Sequence, residues 1–226
     1  MSDKRIIVNA SLSCIDLYHL KDQIEEINQS SIDGLHYDVV DGEFNKCFIF
    51  GDLMLEKIRL ITNKPICVHL AVNQVEKYIE PMARAGADYI AVHYETHCDF
   101  KEVFKKIYSF GAKPVLAFRS ETDVPNDFED LAKQVEWILK LTVNPGFSGQ
   151  RIQRQALEHI KEMSLRLSKA KIIKGIEADG NVNAETISEI VSAGATILTG
   201  GTSGLFNSSS TIEKNCQIMK KVAYEK

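Results

Sequence analysis

The 226 residues predict an α/β fold, a closed (β/α)8 TIM barrel built as one domain over residues 1–226. Three observations carry that reading. Short runs rich in Val and Ile alternate with helical patterns along the whole chain, the signature of repeated βα units and a parallel sheet. The alternation counts eight units. Before three of the strands the chain reads SIDGLHYD, MARAGADYI and VSAGATIL, where a glycine closes a helix and a two- or three-residue turn feeds the next strand. No low-complexity linker or shift of composition divides the sequence, so the eight units are expected to close on themselves rather than form an open doubly wound sheet.

The strands are expected at 6–10 (IIVNA), 34–40 (GLHYDVV), 65–71 (PICVHLA), 89–94 (YIAVHY), 113–118 (KPVLAF), 136–143 (EWILKLTV), 170–178 (AKIIKGIEA) and 196–200 (TILTG). Helices fall between and after them, near 16–29, 52–62, 74–85, 99–110, 127–134, 152–168, 183–193 and 208–224. In the first helix Leu17, Leu20, Ile24 and Ile27 recur at spacings of three and four, which leaves Lys21, Asp22, Glu25 and Glu26 for solvent. His19 and His159 read as helix-surface residues. Trp137, Phe104 and Phe110 read as core, and the Lys-Lys pairs starting at 105 and 220 as solvated helix faces.

A formal charge of -4 and a pI near 5.9 provide no basic field for a polyanion, so nucleic acid is not an expected partner. A phosphate, if bound, should be small and held locally. The N-terminal MSDKRIIVNASL holds an apolar run too short for a signal or a membrane span, which predicts a cytoplasmic protein with no membrane partner. Cys14, Cys47, Cys67, Cys98 and Cys216 are odd in number and form no CxxC pair, which argues against a disulfide framework and a structural zinc knot. A homo-oligomer, dimer or hexamer, is expected because closed homo-oligomers are common among soluble enzymes.

The chemistry of such a barrel belongs at the C-terminal ends of its strands. In His36-Tyr37-Asp38 the imidazole and carboxylate are two residues apart and share a strand face. His69 closes the third strand and Asp179 follows the seventh. Two imidazoles and two carboxylates form a neutral pocket for one divalent cation, with mixed N and O ligands that suit zinc, manganese, iron or cobalt. Taken singly, a histidine near a strand end is more often a hydrogen-bonded structural residue; the four together favour a metal. Asp41, next to Gly42, is the better candidate for a turn cap. His93, Glu95 and His97 alternate at the end of the fourth strand, where a second metal cluster is conceivable and a polar loop without metal is the preferred reading. Glycine-rich loops follow strands six to eight: NPGFSGQ (144–150), DGN (179–181) and GGTSG (200–204). Gly146, Gly149, Gly180 and Gly201 allow backbone N–H groups to approach an anion, and Thr202 and Ser203 add hydroxyl donors.

The segments ASLSCIDL, DGLHYDVVDGEF, VHLAV, ARAGADYIAVHYE, TVNPGFSGQ, EADGNVN and GGTSGLF make the chain similar to the ribulose-phosphate 3-epimerase family over nearly its whole length. SLSCIDL and GTSGLFN resemble the branch that acts on D-allulose 6-phosphate more than the pentulose branch. The resemblance implies a (β/α)8 barrel of the ribulose-phosphate-binding type, one divalent metal, and inversion at carbon 3 of a phosphorylated ketose, D-allulose 6-phosphate or D-ribulose 5-phosphate. Carried over residue by residue, it places the metal on His36, Asp38, His69 and Asp179, with Asp38 and Asp179 also the acid/base pair. It sets Ser11 and His69 by the substrate, Gly180, Asn181, Gly201 and Thr202 in the phosphate loops, and Gly146 and Gly149 in the loop that covers the site.

Several positions depart from the family pattern. Val40, Ala71 and Leu141 stand where members usually have methionines, Asn45, Lys46 and Cys47 replace VPN, and HPE has become His93-Tyr94-Glu95. Arg119 to Thr122 replace NPxT, and Asn181 replaces the second glycine of DGG. These changes motivate a second reading, a phosphosugar-binding barrel of the same fold with impaired catalysis. A barrel decarboxylase or aldolase of the hexulose-phosphate synthase kind expects Asp-x-Lys-x-x-Asp on the third strand, and CVHLAV has no lysine there.

Overall fold

The computed structural model describes residues 5–144 and 150–225. Parallel pairing of β1 (Ile7–Ser11) with both β2 (Gly34–Asp41) and the final strand closes the sheet into a barrel. A two-residue strand, β3 (Phe48–Ile49), lies outside that ring and pairs antiparallel with Val40 and Asp41. The ring continues through β4 (Ile66–Ala71), β5 (Tyr89–His93), β6 (Lys113–Phe118), β7 (Trp137–Leu141), β8 (Gly175–Val182) and β9 (Ile197–Gly200), each parallel to its neighbours. Around it stand α1 (Leu20–Gln29), α2 (Asp52–Arg59), α3 (Glu76–Arg84), α4 (Phe100–Ser109), α5 (Phe128–Ala132), α6 (Arg154–Lys169), α7 (Ile187–Ala193) and α8 (Ile212–Tyr224). This is the expected (β/α)8 TIM barrel. Among the described residues no helix is long and apolar enough to cross a membrane.

The two-residue period of the strands explains both cores. Outward positions such as Val8, Leu35, Tyr37, Val39, Val68, Leu70 and Val92 are buried against the helices. Inward positions form a smaller core of Cys67, Ala91, Val115, Ala117, Leu139 and Leu141. Toward the C-terminal strand ends the inward residues turn polar: Ser11, His36, His69 and His93 are all buried there. Asp41 caps the turn after β2, accepting the amides of Glu43 (2.9 Å), Phe44 (2.8 Å) and Asn73 (2.9 Å).

Four local expectations are corrected. Helix α1 begins at Leu20, not 16, because the Asp16 carboxylate takes the Tyr18 amide (2.9 Å) and holds residues 17–19 in a 3-10 turn. The apolar pair Ile172-Ile173 is not strand: α6 runs to Lys169, its cap places Lys171 at φ 56°, and Ile173 is left exposed, so β8 starts at Gly175. His159 is buried, with Nε2 3.0 Å from Asp123 Oδ1, since it follows Ala156 by three and precedes Met163 by four on the inward stripe of α6. Lys220 is not simply solvated; its Nζ pairs with Asp33 Oδ2 at 2.8 Å. Of the aromatic residues expected in the core, Phe104 is buried, while Phe110 and Trp137 are partly so.

Asp33 makes an acid-sensitive latch at the end of the barrel away from the glycine loops. Its carboxylate accepts the Val8 amide (2.9 Å) and pairs with Arg5 (2.8 Å) and Lys220. Burial opposes its ionisation, but Lys220, the Val8 amide and Arg5 outweigh that and hold the carboxyl below its usual range. A carboxyl with a lower pKa folded than unfolded stabilises the fold above the unfolded value and loses that contribution as pH falls. Asp33→Asn is therefore expected to cost about 1.5–3 kcal/mol at neutral pH. The gap in urea midpoint between native and variant should narrow from pH 6 toward pH 3; a gap that widens contradicts the assignment.

Candidate active site

β2 brings His36 and Asp38 to the mouth of the barrel on one face. Its register with β4 sets Asp38 beside His69, and β8 contributes Asp179. One donor atom from each of these four residues lies within 4.8 Å of the others. His36 Nε2 is 3.1 Å from Asp38 Oδ1 and 3.5 Å from Asp179 Oδ2, and His69 Nδ1 is 3.1 Å from Asp38 Oδ1.

Both ring nitrogens of His36 face carboxylate oxygens, and Nε2 is 3.1 Å from Asp38 Oδ1. His36 Nδ1 lies 3.1 Å from Glu177 Oε1. A carboxylate oxygen only accepts, so a neutral ring with its single hydrogen satisfies one of the two and turns a lone pair toward the other. A nitrogen lone pair thus faces a carboxylate oxygen, a repulsive arrangement unless positive charge sits between them. A proton or a divalent cation meets that need. Burial disfavours a charged His36, yet the carboxylates of Asp38 and Asp179 prevail and raise its pKa well above the ordinary value. Two imidazoles and two carboxylates are also a donor set that could hold zinc, manganese, iron or cobalt.

The same field pulls the two carboxylates apart. Burial raises Asp38, but the charge and hydrogen bonds of His36 and His69 overcome it and hold this carboxyl well below its usual range. For Asp179 burial dominates, the charge of Asp38 adds to it, and the pKa rises. Asp38 is therefore held firmly ionised while Asp179 takes a proton more readily, so the two carboxylates differ in protonation and can carry protons on opposite faces of one carbon.

Glu177 was not among the residues singled out from the sequence. It is fully buried two positions before Asp179, with Oε1 accepting from Thr199 Oγ1 (2.5 Å) and Oε2 from Trp137 Nε1 (2.6 Å). The signal was present: Glu-x-Asp on β8 repeats the shared-face spacing of His-x-Asp on β2.

β8 does not stop at Asp179. Its pairing with β9 jumps from Asp179–Thr199 to Val182–Gly200, so Gly180 and Asn181 bulge from the ladder with φ of 122° and 50°. A Cβ on Gly180 would meet Val143 Cγ2 at 2.5 Å, so both the backbone angle and the space require glycine. Asn181 Oδ1 accepts from Asn183 Nδ2 (3.0 Å) and Ser203 Oγ (3.2 Å), which ties the bulge to the loop after β9. Gly201 and Thr202 lie in that loop.

Ser11, Gly180, Asn181, Gly201, Thr202 and Ser203 line a cavity of about 250 Å³ together with Asp38, His69 and Asp179. Val40, Ala71 and Leu141 form its aliphatic wall, and Cys14 and Ile49 join it without having been foreseen. Ser11 Oγ donates to Asp38 Oδ2 at 3.5 Å. Gly146 and Gly149 lie outside the described residues. His93, Glu95 and His97 do not form a second cluster: His97 sits exposed in a left-handed turn, while His93 is buried against His69.

A model of the ribulose-phosphate 3 epimerase family matches residues 7–206. The chain belongs to that family. It is thereby an isomerase of the epimerase class that acts on carbohydrate phosphates. A ribulose-phosphate 3-epimerase of Bacillus subtilis (strain 168) is 34% identical over 198 residues, covering 87% of this chain and 90% of that protein. A second, from Synechocystis sp., is 33% identical over 214 residues and covers 90% and 89%. Among solved structures, a phosphoribosyl anthranilate isomerase from Thermococcus kodakaraensis matches with a TM-score of 0.66 at 14% identity, covering 98% of this chain and 100% of that one. A 3-hexulose-6-phosphate synthase matches equally, at 0.66 and 13%, covering 96% and 99%. Likeness at such identities concerns the fold alone, and the fold is the one found here.

Proposed function

We propose that this family member is a metal-dependent ketose-phosphate 3-epimerase working as one barrel domain. The observation that carries the reading is the convergence of His36, Asp38, His69 and Asp179, from three strands, within 4.8 Å at the mouth of the barrel. Asp38 and Asp179 act as the acid/base pair. One takes the hydrogen from carbon 3, next to the carbonyl, and the other returns a proton to the opposite face of the resulting enediolate. Which acts first depends on the configuration of the substrate. His36, Asp38, His69 and Asp179 would hold one zinc, manganese, iron or cobalt ion, which when bound supplies stabilisation of the enediolate's negative charge. Ser11 and His69 orient the sugar. Gly180, Asn181, Gly201 and Thr202 receive the phosphate, with Gly146 and Gly149 in the covering loop. A cytoplasmic homo-oligomer, dimer or hexamer, accompanies this reading.

Of the two substrates, D-allulose 6-phosphate is preferred over D-ribulose 5-phosphate. SLSCIDL and GTSGLFN support that choice, and the small Ala71 leaves room for one more carbon in the cavity wall. A panel of ketose phosphates followed by NMR at carbon 3 tests it: faster turnover of the hexulose is expected, and the reverse ranking overturns the preference. The aliphatic wall favours a second reading, a phosphosugar-binding barrel that has lost catalysis. In that case ligands raise the melting temperature by mass action while carbon 3 keeps its hydrogen.

A further inference from the structure

Behind His69 the barrel buries a second imidazole that no step above uses. His93, wholly buried on β5, has Nε2 2.8 Å from His69 Nε2 and Nδ1 2.7 Å from Glu95 Oε2. The other Glu95 oxygen accepts from Thr122 Oγ1 at 2.5 Å and from the Arg119 amide at 2.8 Å. Those two loop residues are gripped from the other side by the buried Lys140, whose Nζ donates to the carbonyls of Arg119 (2.6 Å) and Thr122 (2.7 Å). Glu95 is thus held in place by hydrogen bonds that fix it as an acceptor.

Two neutral rings carry two hydrogens for three contacts, at Glu95, between the imidazoles and at Asp38, and with a cation taken up at the Asp38 end one arrangement is consistent. A carboxylate oxygen only accepts, so the hydrogen of His93 is on Nδ1 and its Nε2 is bare. Bare Nε2 must accept, so the hydrogen of His69 is on Nε2. The lone pair of His69 is then on Nδ1, the nitrogen that faces Asp38 at 3.1 Å within the four-residue cluster. We propose that Glu95 and His93 are positioning residues that hold His69 in its Nε2–H form and so present Nδ1 to a divalent cation. The inference rests on the metal reading of the cluster, and it extends a common pattern in which the far nitrogen of a ligating histidine donates to a carboxylate, here through a second histidine.

Glu95→Gln tests this with almost no change of shape. Thr122 Oγ1 and the Arg119 amide both donate, so they select the amide oxygen, which turns the NH2 toward His93 Nδ1. The relay then runs backwards: His93 carries its hydrogen on Nε2, His69 on Nδ1, and the nitrogen facing the site is blocked. Calorimetric titration with zinc should give native affinity and a roughly 10- to 100-fold weaker affinity in Glu95→Gln. Nitrogen-15 NMR of the zinc-loaded native protein, which needs no variant, should find the His69 hydrogen on Nε2. An Nδ1–H His69 in that spectrum, or zinc affinity unchanged in a folded Glu95→Gln, overturns the relay while leaving the metal reading intact. Native protein that takes up no zinc, manganese or cobalt overturns the metal reading and the relay with it.

Discussion

Asp38→Asn and Asp179→Asn are each expected to lower turnover at carbon 3 by ~10²–10⁴-fold, the range over which a positioned acid or base contributes. An asparagine keeps the shape of the aspartate but cannot take or give the proton. The two variants should differ in what else they disturb. Asp38 lies 3.1 Å from both His36 Nε2 and His69 Nδ1 and is held strongly ionised, so its replacement also removes a negative charge from beside those imidazoles. Asp179 is pushed up to about 6 by burial and by the charge of Asp38, so its ionised form is held less firmly and a neutral asparagine there disturbs the site less. With metal removed from both proteins, Asp179→Asn should therefore melt closer to the native protein than Asp38→Asn does, while losing turnover. Loss of turnover confined to Asp38→Asn, with Asp179→Asn near native, would remove the second proton carrier from the account.

If the four donors hold a cation as proposed, removing it is expected to abolish turnover and to lower stability together. Donor atoms within 4.8 Å, two of them carboxylates, repel one another when no cation lies between them. A cation that binds only the folded chain stabilises it by about 4 kcal/mol when present at roughly 1,000 times its dissociation constant. For a chain of this length that corresponds to a rise in Tm on the order of 10 °C. Dialysis against a chelator should lower Tm and silence the enzyme, and zinc, manganese or cobalt should restore both. Full turnover in chelator with an unchanged Tm contradicts the cation's place in the site.

The barrel was legible because strand period and glycine junctions are local signals. The errors fell where a local competitor outweighed periodicity. Asp16 capping Tyr18 delayed α1, and the cap of α6 absorbed Ile172 from what reads as a strand. Of the four donors at the mouth, His36 and Asp38 were legible from shared-face spacing and His69 and Asp179 from their places at strand ends and the family resemblance, whereas their supports were not. Glu177 supports His36 from its own strand and could have been found from the two-residue spacing. The link from His93 to His69 joins neighbouring strands, and the grip of Lys140 on Arg119 and Thr122 depends on how a loop folds back, which no spacing encodes. Ala71, Val40 and Leu141 were picked out as positions where family members usually carry methionines, and they line the cavity.

Deuterium incorporation at carbon 3, followed by NMR in D2O for the native protein and both asparagine variants, tests the two-carboxylate site most directly. The native protein should invert carbon 3 and leave deuterium there. Neither variant should invert it, and any exchange that survives should be confined to the epimer whose hydrogen faces the remaining carboxylate. Inversion at the native rate in either variant would contradict the site described.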